Sequence, residues 1–268
     1  MLGENEVNKL TDLFSPVQIN EMRVKNRIAM APMGNHLQAD DGSVTEELLA
    51  YYETRSRGGA GLIISPFSSV SDGFATLGVY SDDLIAGLKK LSRSIQVSGA
   101  KAILQIAHFG GKYRDQNYAP SAIDSPIYPE VPRELTKDEI DDFVEEFVRA
   151  SLRAKEAGFD GVEVHGAHTY LVGQFISPHT NRRSDGYGGS FINRMRFPRE
   201  IVEGIKGRAG EDFTVGLKFS AHEDLPNGVD AQLARRIASH MENVGVDYLH
   251  VATTSSTMES QDYYKYPS

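Results

Sequence analysis

Apolar residues in this chain follow two rhythms that take turns. Short aliphatic runs, each led in by a glycine and a small residue, recur as GGAGLIIS (58–65), SGAKAILQI (98–106), AGFDGVEVH (157–165) and VGVDYLHVA (244–252). Such a run suits a strand covered on both faces, and the glycine before it suits a helix that ends in a left-handed residue. Arg27 to Met30 and Thr214 to Lys218 read as two more strands without that lead-in. The second rhythm is helical. Ile140, Phe143, Val144, Phe147, Val148 and Leu152 fall at three-to-four spacing and form one apolar stripe. Thr136 with Glu139 predicts a capping box opening a helix to Ala157, and Ser43 with Glu46 predicts another opening Thr45 to Arg57. Asp82 to Val97, Phe191 to Lys206 and Asp230 to Val244 carry the same periodicity.

Strands that alternate with helices imply a parallel sheet joined by right-handed crossovers. Ahead of the first such strand, Phe14 to Ile19 and Met22 to Val24 predict a hairpin turning at Asn20-Glu21. Long loops follow the first, third and fourth strands, as expected of a barrel whose working face is the carboxyl end of its sheet. At most six strand–helix units can be drawn, whereas a closed (β/α)8 barrel needs eight. An open, doubly wound sheet would be complete with six, but no GxGxxG follows any strand to support dinucleotide binding.

Composition narrows the class. The 268 residues are 40% hydrophobic and 24% charged, as in a globular protein, and one large α/β domain or two small ones would fit that length. A net charge of −9 argues against nucleic acid or an anionic membrane as partner. The absence of cysteine removes disulfides, thiolate metal sites and a cysteine nucleophile. The opening MLGENEVNKL lacks the apolar core of a signal peptide, so a cytoplasmic protein is expected, and no apolar stretch is long enough to span a bilayer.

Chemistry concentrates in EVHGAHTYLVGQFISPHTNRRSDGYGGSFINRMR (163–196), where His165, His168 and Tyr170 lie within six residues at a strand end. Proton-bearing side chains at such a place are how an α/β barrel builds an active site. Two preorganised imidazole donors could each stabilise a developing oxyanion by roughly 3 kcal/mol. A phenol with a solution pKa of about 10 stays protonated at neutral pH and can supply a proton. A metal-dependent hydrolase is the competing reading of the same residues, with Glu163, His165, His168 and His250 as ligands. Arg182, Arg183, Asp185 and the turn Tyr187 to Ser190 read as loop-shaping residues.

Four blocks in order resemble the old yellow enzyme family of FMN-dependent ene-reductases, including its NADH:flavin oxidoreductase and 2,4-dienoyl-CoA reductase branch. They are LFSPVQINEMRVKNRIAMAPMG, DDGSVTEELLAYYETRSRGGAGLII, QIAHFGGK and HGAHTYLVGQFISPHTNRRSDGYGGSFINRMRF. The resemblance implies a TIM (β/α)8-type barrel with an N-terminal β-hairpin, of which residues 1–268 form a single, incomplete domain of about six units, C-terminally truncated. It implies FMN as cofactor, NAD(P)H as electron donor and an α,β-unsaturated carbonyl or enoyl thioester as substrate. By resemblance, His165 and His168 bind the substrate carbonyl and Tyr170 donates the proton. Pro32, Met33, Gly34, Ala60, Gln105 and Lys218 contact the flavin, and no metal is implied. Gly34 stands where relatives often carry threonine or cysteine, and Ile192 where they usually carry glutamate. The family's flavin phosphate is held by the seventh and eighth units, which are not found before the closing DYYKYPS. A non-catalytic fragment, completed by another chain or by homo-oligomerisation, is therefore the alternative expectation.

Overall fold

The computed structural model describes residues 11–113 and 116–254. The opening MLGENEVNKL and the closing DYYKYPS lie outside the described residues. The chain opens with an antiparallel hairpin of β1 (Val17–Ile19) and β2 (Met22–Val24), turning through Asn20 in the left-handed region. β3 (Ala29–Met30), α1 (Glu46–Arg57), β4 (Leu62–Ile64), the short β5 (Ser68–Ser69) and β6 (Leu77–Gly78), α2 (Ile85–Gln96) and β7 (Lys101–Ala107) follow. Next come the short strands β8 (Tyr118–Ala119) and β9 (Arg133–Glu134), then α3 (Lys137–Glu156) and β10 (Gly161–Gly166). α4 (Leu171–Ile176), α5 (Phe191–Arg194), α6 (Arg196–Ala209), β11 (Thr214–Glu223), α7 (Ala231–Val244) and β12 (Tyr248–Thr254) complete the order.

The main sheet runs β12-β11-β10-β7-β4-β3, and β3–β4, β4–β7 and β11–β12 pair in parallel. Each of these strands lies beside its predecessor in the chain. A doubly wound sheet would reverse direction once along its order. No reversal occurs, so this is the singly wound connectivity of a (β/α)8 barrel, with six of its eight strand positions represented among the described residues. No helix among those residues is long and apolar enough to cross a membrane.

Two compact units divide the chain. The first takes the residues up to Ile106 with Arg149–Glu163 and Lys206–Val215; the second takes Ala107–Val148, Val164–Ile205 and the residues from Gly216 on. The divisions fall inside β7, β10 and β11, so each of these strands gives its amino-terminal part to the first unit and its carboxyl-terminal part to the second: β10 divides in the middle, β7 gives only Ala107 to the second unit, and β11 gives only Thr214 and Val215 to the first. In the first unit, Met22 and Val24 of the hairpin pack with Leu62, Ile64 and Ile103. In the second, Phe147, Phe175 and Phe197 stack around buried positions, with Phe175 and Phe197 centroids 4.3 Å apart.

The predicted elements hold, with local corrections. The first hairpin strand begins at Val17 rather than Phe14, because Phe14 and Ser15 lie in a turn where the Ser15 N–H and hydroxyl both donate to the Asp12 carbonyl. The first helix is capped by Thr45, whose side chain accepts from the Leu48 N–H; Ser43 instead donates its own N–H to Asp41 in the turn before. The first parallel strand is shorter than Arg27 to Met30, because the Asn26 carboxamide takes the Ile28 N–H and leaves only Ala29–Met30 to the ladder. The helix predicted over Phe191 to Lys206 breaks at Met195 into α5 and α6. Pro198 explains the break: its ring would clash with the Arg194 carbonyl in a continuous helix, so it fits only in a first turn. The strand predicted to end at Lys218 continues to Glu223, with a bulge between Ser220 and His222. The Thr136–Glu139 capping box forms in both directions, the Thr136 N–H reaching Glu139 at 2.8 Å and the Glu139 N–H reaching Thr136 Oγ1 at 3.3 Å.

Candidate active site

β10 carries the first of the candidate side chains. His165 is buried at its end, and the Ala167 N–H donates to His165 Nδ1 at 3.2 Å. The imidazole pKa lies well below 6.5, first through burial and then through the charges of His168, Lys218, His250 and Lys112. A neutral ring that accepts at Nδ1 carries its proton on Nε2, so His165 presents an N–H donor. At Gly166 the chain passes so close to β11 that a Cβ would sit 3.0 Å from the Lys218 carbonyl oxygen.

The backbone then bends through two consecutive left-handed residues, His168 (φ 55°) and Thr169 (φ 56°). For a β-branched threonine this conformation is costly, and it persists only where surrounding contacts impose it. Three side chains, Ser220, Lys112 and Gln174, do so. The His168 N–H donates to Ser220 Oγ at 3.3 Å, and that hydroxyl bonds Thr254 Oγ1 at 2.6 Å. The Lys112 ammonium donates to the His168 carbonyl at 3.1 Å. Gln174 of α4 donates to the Thr169 carbonyl at 2.7 Å and to the Phe109 carbonyl at 3.2 Å.

This bend sets Tyr170 at the N-terminus of α4 and gathers three rings. The Tyr170 centroid lies 4.8 Å from that of His165, perpendicular to it, and 6.4 Å from that of His168; the two imidazoles are 5.2 Å apart. Phe109 meets Tyr170 edge-on at 5.4 Å. Burial lowers His168 to about 4, with the charges of Lys218, Lys112 and His250 adding to the effect. Lys218, itself buried, faces His250 in the register of β11 and β12. The second unit thus holds hydrogen-bond donors, a phenol and lysine charge together, an arrangement that favours negative charge on a ligand.

In the first unit, Gln105 is buried, its backbone N–H bonded to Ser65 Oγ at 3.0 Å and its side-chain amide donating to Glu163 at 2.7 Å. Pro32 and Ala60 are half-buried, Met33 is 55% exposed, and a Cβ added at Gly34 would meet nothing within 4 Å. The metal-ligand set of Glu163, His165, His168 and His250 is not assembled: among the described residues no three or more His, Asp or Glu side chains converge for a metal ion.

The loop-shaping assignments follow from the contacts. Arg183 is buried and donates to the Pro120 and Leu135 carbonyls and to Asp185, while the Arg182 N–H is held by Ser121. Ile192 is 59% exposed. Lys112, Gln174 and Ser220 were not singled out from the sequence. Lys112 had one available signal, a cation after two glycines in the loop beyond β7. Gln174 and Ser220 had none.

Residues 12–264 match the NADH:flavin oxidoreductase / NADH oxidase family. The chain is 42% identical over 252 residues to an NADH oxidase of Thermoanaerobacter brockii, covering 90% of this chain and 39% of that protein. It is 38% identical over 250 residues to an NADPH dehydrogenase of a Geobacillus species, covering 91% of this chain and 73% of the relative. Among solved structures, a 2-naphthoyl-CoA reductase complexed with 2-naphthoyl-CoA superposes with a TM-score of 0.87 at 28% identity, over 91% of this chain and 41% of that one. Morphinone reductase superposes with a TM-score of 0.82 at 32% identity, over 89% of this chain and 71% of that one. The chain therefore spans well under half the length of the oxidase and of the naphthoyl-CoA reductase. Motifs, strand order and these likenesses agree, and the chain belongs to the NADH:flavin oxidoreductase / NADH oxidase family.

Proposed function

We propose that this chain is the flavin-dependent portion of an oxidoreductase that reduces the activated C=C bond of an α,β-unsaturated carbonyl compound or enoyl thioester, with NADH or NADPH as electron donor. The observation that carries the reading is the cluster of His165, His168 and Tyr170, in which the His165 tautomer is fixed as an Nε2–H donor. The two imidazoles hold the substrate carbonyl oxygen and offset the negative charge that develops on it, each contributing about 3 kcal/mol. Tyr170 transfers its phenolic proton to the α carbon, a task worth about 10²–10⁴ in rate for a well-placed acid.

The residues fit FMN. Exposed Met33, with Pro32 and the open space beside Gly34, offers an apolar, backbone-rich strand end for a flat ring. Gln105 brings an amide to the polar edge of that ring, and Ala60 is small enough to let it approach. Lys218 supplies positive charge, which favours the anionic reduced form. Bound FMN supplies the hydride transfer that links nicotinamide to substrate. The likeness to a 2-naphthoyl-CoA reductase and to morphinone reductase supports a conjugated carbonyl or thioester as the substrate class.

The test is anaerobic and uses the full-length protein. NADH or NADPH should bleach the flavin absorption bands, and an α,β-unsaturated ketone or enoyl thioester should restore them with one C=C bond reduced per flavin. Reduction of the flavin with no reoxidation by any such acceptor would refute the proposed substrate class.

A further inference from the structure

The proposed reaction assigns no role to Lys112, although it touches two parts of the site. It lies just past β7, and its Nζ donates to the His168 carbonyl at 3.1 Å. The same ammonium stands 5.0 Å from the centroid of the Tyr170 ring. A cation over the face of a phenol is attracted by the ring, and the attraction grows when the phenol oxygen becomes negative. We propose that Lys112 is a positioning residue that acts through Tyr170: its ammonium supports negative charge on the phenol oxygen and makes Tyr170 a stronger acid, while holding the His168 carbonyl in its left-handed turn.

The three rings packed against Tyr170 do not supply that charge near neutral pH. Phe109 is apolar, and His165 and His168 are both held neutral by burial and by the cations around them. Lys218 and His250 act on the same two imidazoles, and the Lys112 variants separate the Lys112 share from theirs. Burial lowers Lys112 to about 8, so it still carries most of its charge at neutral pH. When Tyr170 passes its proton to the α carbon, the phenolate that remains faces the ammonium. Water then returns the proton to the oxygen, and Lys112 ends the cycle as it began.

The catalytic consequence rests on the reading of Tyr170 as proton donor, but the coupling itself can be measured without turnover. In the full chain with tyrosine labelled with carbon-13 at Cζ, the Tyr170 signal is identified by its loss in Tyr170→Phe, and its titration midpoint is followed by NMR. Lys112→Gln keeps an N–H donor for the His168 carbonyl and removes the charge; Lys112→Met removes both; Lys112→Arg keeps the charge. Because the Lys112 ammonium itself loses its proton near 8, the decisive comparison is with the permanently charged variant: the Tyr170 midpoint should lie about one to two pH units lower in Lys112→Arg than in the Gln and Met variants. Equal midpoints in Lys112→Arg and in both neutral variants overturn the proposal, whatever the enzyme's activity. A shifted midpoint together with full turnover by Tyr170→Phe supports the coupling and sinks the proton-donor reading instead.

Discussion

The two ends of β10 obey different rules. Just before its amino end, Asp160 accepts from the Ala102 N–H, the Lys101 ammonium and the Gln96 amide at 2.7–2.9 Å. Each donor is matched, and the backbone is ordinary. Past its carboxyl end, two imidazoles and two lysines share a small space, and two consecutive residues are forced left-handed. Local conflict of this kind costs stability and is tolerated where it prepares a site for a ligand. Under the proposed function, the amino end serves the fold and the carboxyl end the chemistry.

Substitutions can break that contrast. Tyr170→Phe should have the largest effect, lowering C=C reduction by about 10²–10⁴-fold. The thermal midpoint should stay unchanged, as read by calorimetry beside steady-state rates. Acid comes next. His108 is buried with its pKa lowered to about 3 by desolvation, and its Nδ1 accepts the Gly110 N–H. A folded value below the unfolded 6.5 means that the unfolded chain takes up its proton first. The stabilisation is complete above pH 6.5 and is lost as pH falls toward 3, a loss on the order of 4 kcal/mol from this group. Hydrogen exchange should therefore speed up at the Gly110 and Ala167 amides, both bonded to imidazole nitrogen, before the Ala102 amide on Asp160. Simultaneous loss of all three would erase the distinction between the ends.

Asp160→Ala should cost about 1–3 kcal/mol of stability by leaving the Ala102 N–H without its acceptor, and it should leave the flavin-linked turnover rate alone. A loss of turnover with unchanged stability would show chemistry at the amino end. The smallest effect belongs to Thr169→Gly. Relief of the left-handed strain should raise stability by about 1 kcal/mol in urea unfolding, while turnover falls as Tyr170 loses its fixed start to α4.

Much of the frame was readable from the residues. Gly59, Gly99, Gly158 and Gly245 all adopt the left-handed conformation expected of them, because a helix leading straight into a strand leaves few other residues that fit. The Thr136–Glu139 box was readable because its two partners are local. Ser43 and Thr45 are both good caps two residues apart, and spacing alone favoured the wrong one. Pro198 was a visible break signal, outweighed by the periodicity on either side of it. His165, His168 and Tyr170 were legible as a group because they are close in sequence. Their supports were not: Lys112 reaches His168 across 56 residues and Ser220 across 52, and although two glycines lead into Lys112, nothing local shows which group either side chain meets. The left-handed turn at His168 and Thr169 was equally hidden, since neither residue type ordinarily signals it.

Gln174 ties together pieces that look independent. It donates to the carbonyls of Phe109 and Thr169, accepts the Gly111 N–H at 3.3 Å, and presses its amide against the space a side chain at Gly110 would need. Its contacts make the loop after β7 and the turn after β10 a single mechanical part. Drift at position 110 should therefore be inherited together with change at position 174, so that across diverging lineages the pair behaves as one heritable character.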